Sequence, residues 1–446
     1  MSMSAGELFP DLPIPEHTVE AAAPRAPRVL MPNRIQVELR ASDLESLLSE
    51  DHTARLVWGF VERQDLSALY ASIKAVDGGP GRDAIAPEIL LSLWLYATLE
   101  GVGSARALSR LCEAHDAYRW LCGGVRVNHH TLSDFRVSQG AFLDTLLTQS
   151  VVSLMSTGAV TLKRVAQDGM RVRASAGAAS FRRKGRLQEL QAQAHEQVER
   201  LKREVADDPA ATERRLAAAR QRAAVEREAR IAQALERVPA MEATKKANGK
   251  PVDTARVSTT DPRATVMKMA DGGFRPAFNV QFATDTSSQA VVGVDVTERG
   301  SDYGEMPVML DQRARRYDTV PEEMLVDGGF SKLTDVEQAA EKGTTVFGPV
   351  PQPKDPNRDR HLPLPEDSDV VAAWRIRMGT DEAKTIYKER AATAECVRGR
   401  AQPKLATLRG ARTRQGVIDR AAVCDRPQPR ATVRAIGAHH DMKDRA

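Results

Sequence analysis

FNVQFATDTSSQAVVGVDVTE, residues 278–298, decides how this chain is read. Phe278, Val280 and Phe282 alternate with Asn279 and Gln281, and Val292, Val294 and Val296 repeat the pattern after a polar TSS break. Period two on both sides of a short polar link predicts a β-hairpin. Almost everything before residue 158 has the other period. IAPEILLSLWLYATLEG (85–101) is apolar nearly all round, as a buried helix is, with Pro87 in the first turn where proline is tolerated. GSARALSRLCEAH (103–115) offers Ser104 as N-cap and places Leu108 and Leu111 on one face. The hairpin therefore marks where an all-helical region has given way to a sheet.

Working outward from the hairpin, LKRVAQDGMRVRAS (162–175) has strand character on both sides of a glycine, with a turn expected at Gly169. EMLVDGG (323–329) ends a short apolar strand, SKLTDVEQAAEKG follows as a helix, and TTVFGPV (344–350) is another strand. Strand, hairpin, helix, strand, helix, strand, helix predicts a mixed α/β sheet with helical cover. Two charged helical stretches separated by ADDPA interrupt it, with Leu187, Leu190, Val198, Leu201 and Val205 at helical spacing. They read as an antiparallel helical hairpin, whose mixed charges suit a solvated face better than a DNA-binding arm. The expected organisation is an unstructured segment 1–35, a helical domain 36–158, a catalytic α/β domain 159–181 and 251–410, the insertion 182–250 and a basic tail 411–446.

Composition bounds the function. With 42% hydrophobic and 28% charged residues the chain suits a soluble globular protein, and no apolar run could span a bilayer. MSMSAGELFPDLPIPEH has neither a basic nor an apolar leader region, so a cytosolic location is expected. Four scattered cysteines exclude a disulfide framework, and the loose Cys112, His115, Cys122, His129 spacing makes a zinc site a weak alternative to core packing. Residues 397–446 hold twelve Lys/Arg against four Asp/Glu, so the net charge of +4 arises there and the rest is acidic.

Two aspartates stand where strands deliver functional groups: Asp168 in VAQDGMRV and Asp327 in LVDGGF. A third acid, Glu395, lies on the helix TIYKERAATAECVRGR (385–400) among small residues, Ala391, Ala392 and Gly399, which would let that helix approach the sheet. Three carboxylates without clustered histidines suit hard, oxygen-preferring cations. Two such ions about 4 Å apart can activate a hydroxyl and stabilise the leaving oxygen of a phosphodiester.

These stretches, in this order, resemble a bacterial insertion-sequence transposase of the DDE class, from about Arg34 to Gly410. Residues 56–124 and HHTLSDFR (129–136) are similar to the family's helical N-terminal domain. QDGMRVRASA and LVDGGFS resemble its two aspartate strands, and Tyr387, Arg390 and Glu395 in YKERAATAE resemble its Tyr-Arg-Glu signature. The resemblance implies a ribonuclease-H-like mixed sheet with flanking helices. It implies that Asp168, Asp327 and Glu395 hold Mg²⁺ or Mn²⁺, that Arg390 contacts DNA or positions Glu395, and that Tyr387 packs or touches a phosphate; Arg171 and Arg173 are further candidate DNA contacts. The implied reaction is cleavage at the element's terminal inverted repeats followed by 3′-hydroxyl attack on target DNA. The implied partners are those repeats and the target duplex, with the protein a homo-oligomer on DNA in a bacterial nucleoid. Residues 103–138 are the candidate helix-turn-helix. A DNA-binding copy with a dead catalytic core, or a nuclease of the same fold that cuts without joining, remain alternatives.

The resemblance stops near Gly410, where a core helix is expected. Instead the sequence is arginine-rich and broken by prolines. Val423–Gly437 can be back-translated so that the next frame reads Tyr-Ala-Ile-Ala-His-Asn-Leu-Ala-Arg-Leu-Phe-Ala-Leu-Ser, an amphipathic helix. A shifted reading frame is one expectation for the tail, and a genuine DNA-gripping basic tail is the other.

Overall fold

Helices α1 (Thr53–Glu62), α2 (Ser67–Ala71), α3 (Pro87–Leu99), α4 (Ala105–Ala114), α5 (Asp116–Cys122), α6 (His129–Ser138) and α7 (Gly140–Ser156) occupy the first part of the computed structural model. The structure describes residues 43–406 except Asp77, residues 79–81 and 208–213, Lys354 and Pro356; of 205–207, 214–216 and 395–406 it describes only the backbone. The tail beyond 406, with its two expectations, and the segment 1–42 lie outside the described residues.

α3 is the axis of the helical region. Its run of Ile, Leu and Trp side chains is buried on every face, and α1 packs Ala54, Val57, Phe60 and Val61 into the same cluster. The starts of these helices are satisfied locally. Ser104 Oγ accepts from Ala107 N at 3.3 Å, and Asn128 Oδ1 accepts from His130 N and Thr131 N. Arg136 is not a surface residue: it donates to Gly103 O at 3.0 Å and lies over the Trp94 ring. Cys112 and Cys122 are buried free thiols, and His115 is spent capping α5. Among the described residues no group of three or more His, Cys, Asp or Glu is placed to hold a metal.

The second region is built on β1 (Arg164–Arg173). After it come β2 (Phe181–Arg182), α8 (Lys184–Asp207), α9 (Arg214–Ala247), β3 (Val257–Ser258) and β4 (Thr265–Lys268). The hairpin follows as β5 (Phe274–Asp285) and β6 (Val291–Thr297). The chain continues through α10 (Glu305–Tyr317), β7 (Glu323–Leu325), α11 (Leu333–Glu341), β8 (Thr345–Phe347), α12 (Asp369–Gly379) and α13 (Asp381–Ala406). β5 is paired antiparallel to β1 on one edge and to β4 and β6 on the other; β1, β7 and β8 are mutually parallel neighbours. Four strands in antiparallel pairs, β4, β6, β5 and β1, continued by two strands parallel to β1 make a mixed α/β sheet compatible with a ribonuclease-H-like core.

Two details depart from the sequence reading. β1 runs unbroken through Gly169, where a turn is expected, because all nine residues from Val165 to Arg173 pair with β5. The short strands β2, β3 and β4 have two to four residues each and no alternation long enough to detect. In the insertion α8 and α9 pack against each other. They rest on β3 through a small core of Leu187, Ala234, Val238 and Val257.

One buried acid near the insertion carries a pH signature. Asp261 is 3% exposed, and its Oδ2 has no hydrogen-bond partner among the described residues. Burial pushes its carboxyl up to about 6. The folded state therefore holds this proton more tightly than the unfolded chain, so stability is full at low pH and falls as pH rises from about 4 to 6. Asp261→Asn should remove that fall and stabilise the protein by about 2 kcal/mol at pH 7.5. Urea midpoints of both proteins at pH 4.5 and 7.5 check it; equal differences at the two pH values would refute it.

Candidate functional site

Asp168 is the fifth residue of β1, opposite Phe282 of β5. Side chains of a strand alternate between faces. Ala166, Asp168 and Met170 join Phe282, Thr284, Thr393 and Ala394 around one small cavity under α13. Gln167 and Arg171 point the other way, Gln167 bonding Glu305 O at 3.3 Å and Arg171 reaching the loop before α10. Asp168 thus issues from the middle of a strand paired along its length with β5, a rigid mounting rather than a strand end.

Asp327 lies two residues past β7 and caps a single turn, its Oδ1 accepting from Gly329 N at 2.7 Å. The two aspartates converge on one cation. Arg390 Nη2 of α13 lies 3.3 Å from Asp168 Oδ1 and 3.4 Å from Asp327 Oδ2. Asp327 is the more open of the two, its side chain 39% exposed against 16% for Asp168.

α13 is held to the sheet by two further side-chain contacts and capped at its own start. Arg164 of β1 reaches Glu389 at 2.6 Å and also pairs with Glu323 of β7. Thr393 Oγ1 accepts from Gln289 at 3.2 Å. Thr380 Oγ1 caps the helix by accepting from Ala383 N. Tyr387 packs against the main core one turn before Arg390, and burial pushes its phenol above the usual value. Tyr387, Arg390 and Ala394 fall at helical spacing on the face turned to the sheet. Ala391 and Ala392 are exposed, so the close approach expected of them is made instead by Thr393 and Ala394. The phase of the helix, fixed by Arg390 on the two acids, decides this.

Glu395 is a helical residue of α13, but its side chain lies outside the described residues. Arg171 is committed to Asp302 at 2.9 Å and to Gly300 O at 3.0 Å, while Arg173 is exposed. Asp302 itself escaped the sequence reading. It sits in the loop after β6, 8% exposed, and accepts from Asn279 at 2.7 Å and Gln281 at 2.8 Å. The signal was there in β5: Asn279 and Gln281 alternate with aromatics yet are wholly buried, and buried amides need partners.

A guanidinium between two carboxylates shows that the site draws positive charge. Carboxylate oxygens such as those of Asp168 and Asp327 are the donor type that hard divalent cations prefer. Residues 42–138, spanning α1 to α6, match the family model described as a transposase domain (DUF772), which supports a transposase family for the chain. No curated protein and no solved structure matches the chain. Among the described residues no helix is long and apolar enough to cross a membrane.

Proposed function

We propose that the chain is a transposase of the DDE class, cutting DNA at the ends of its own element and joining those ends to target DNA. One observation carries the reading. Asp168 and Asp327, far apart in sequence, meet at Arg390 in a chain whose helical region matches a transposase domain.

In this reading Asp168, Asp327 and Glu395 hold Mg²⁺ or Mn²⁺. Bound there, the metal supplies a more acidic water or 3′-hydroxyl nucleophile and stabilises the leaving oxygen. The protein's own part is placement. Asp168 is fixed by strand pairing and Asp327 by the Gly329 N–H. Arg390, released from the carboxylates, is placed to bind a non-bridging phosphate oxygen, and Tyr387 buttresses it. Arg173 is assigned to the phosphate backbone, whereas Arg171 is already engaged by Asp302. A duplex carrying the inverted repeats that flank the gene tests the proposal. Nicking that needs Mg²⁺ or Mn²⁺ and is lost in Asp327→Ala supports it; binding without metal-dependent nicking favours an inactive DNA-binding copy. That second reading draws on the unpatterned sequence after 410, and the reading frame of the coding DNA there bears on it directly. A pre-nicked end separates a transposase, which joins it to target, from a nuclease, which does not.

The helical region is assigned to the terminal repeats. α4 presents Arg106 and Arg110 to solvent beside the N-terminus of α6. Phosphate contacts are read in salt dependence. Arg106→Ala and Arg110→Ala should each lower the slope of log K against log salt by about 1 and weaken binding to all sequences alike. Filter binding or fluorescence anisotropy over a salt series measures it, and an unchanged slope would remove these residues from the interface.

A further inference from the structure

Asp302 lies behind the site, on the face of β1 opposite Arg390. Its Oδ1 takes hydrogen bonds from Asn279 Nδ2 at 2.7 Å and Gln281 Nε2 at 2.8 Å; its Oδ2 takes one from Arg171 Nη2 at 2.9 Å. These three donors belong to β5 and β1. Gln281 is the register partner of Gly169, and Asn279 of Arg171. The carboxylate is thereby pressed against the backbone of Gly169, the residue directly after Asp168. A Cβ built on Gly169 would run into Asp302 Oδ1. The other oxygen lies near Gly329. A Cβ on Gly329, whose N–H holds Asp327, would lie 3.3 Å from Asp302 Oδ2. One buried carboxylate therefore lies against Gly169, directly after Asp168, and close to Gly329, two residues past Asp327; its own backbone carbonyl accepts from Glu305 N at the start of α10.

We infer that Asp302 is a positioning residue that sets the separation of Asp168 and Asp327, and so the affinity of their cation site; this rests on the metal-binding reading above. Asparagine keeps the size and one acceptor but turns a donor toward Arg171 or toward the two amides. It breaks one side of the brace without emptying the space. Such outer partners of metal ligands govern affinity by about 10- to 100-fold.

The test is Mn²⁺ binding to the full chain, followed by electron paramagnetic resonance of the free ion, with Tm measured on the same samples. Asp302→Asn should weaken Mn²⁺ binding by about 10-fold or more and raise the Mn²⁺ needed for half-maximal nicking, with partial recovery of rate at saturating metal. A structural role alone would lower Tm and leave the Mn²⁺ affinity unchanged, and that result overturns the inference. Should Asp302→Asn fail to fold, Arg171→Met, which strips the partner from Oδ2 alone, must weaken Mn²⁺ binding in the same direction; unchanged affinity overturns the inference equally. Wild-type protein that binds no Mn²⁺, or binds it as well after Asp168→Asn, overturns the metal reading itself and this inference with it.

Discussion

Asp168→Asn should reduce metal-dependent nicking of a terminal-repeat duplex by about 10³-fold, leaving DNA binding and folding intact. The size follows from what is removed. Losing one neutral donor aimed at developing charge costs about 10²–10³ in rate, and here a full negative charge proposed to hold the metal goes. Folding is spared because Asp168 stands beside another acid, Asp327, and shares Arg390 with it. Losing one of two like charges costs little, and Arg390 keeps Asp327. Single-turnover cleavage, anisotropy and thermal melting on one preparation check the three parts. A variant that nicks within tenfold of wild type would remove Asp168 from the chemistry.

The second large effect is expected at Gly169. A methyl group there would lie 2.6 Å from Gln281 Nε2 and 3.0 Å from Asn279 Oδ1, and closer still to Asp302 Oδ1. Flexible neighbours could step aside, but these three hold one another by hydrogen bonds and are buried. Gly169→Ala should therefore destabilise by about 3 kcal/mol, at the upper end for overpacking, and impair nicking as well. Gly177→Ala is the matched control, since a Cβ there meets nothing within 4 Å. Urea unfolding of both variants decides it; equal midpoints would show that the space behind β1 is softer than the contacts imply.

These expectations rest on a mixture of what sequence reveals and what it conceals. The hairpin was legible because aromatic and β-branched residues alternate over both arms. α3 was legible because nothing polar interrupts its apolar surface. The caps at Ser104 and Thr380 followed from local chemistry alone. Gly169 was misread because Asp-Gly is turn chemistry in isolation. The glycine is required instead by Asp302, more than a hundred residues later, and no local rule reports a contact at that range. The pairing of Arg171 with Asp302 is hidden for the same reason: the partner is distant in sequence. The convergence of Asp168 and Asp327 could be suspected from strand positions, but Arg390 as their shared cation depends on the phase of α13.

The two-residue strands β2 and β3 have a consequence for how this chain can change. Arg182 faces Val257 and Phe181 faces Ser258 across an antiparallel bridge, so the chain leaves and re-enters the sheet domain through points about 5 Å apart. Everything between them is a loop in the topological sense, closed at its neck. Doubling its length would cost only about 0.6 kcal/mol in closure entropy. The neck is thus a port at which helical segments can be lengthened, shortened or exchanged while β1 and β5 keep their register, and the chemistry of the sheet is insulated from the history of the insert.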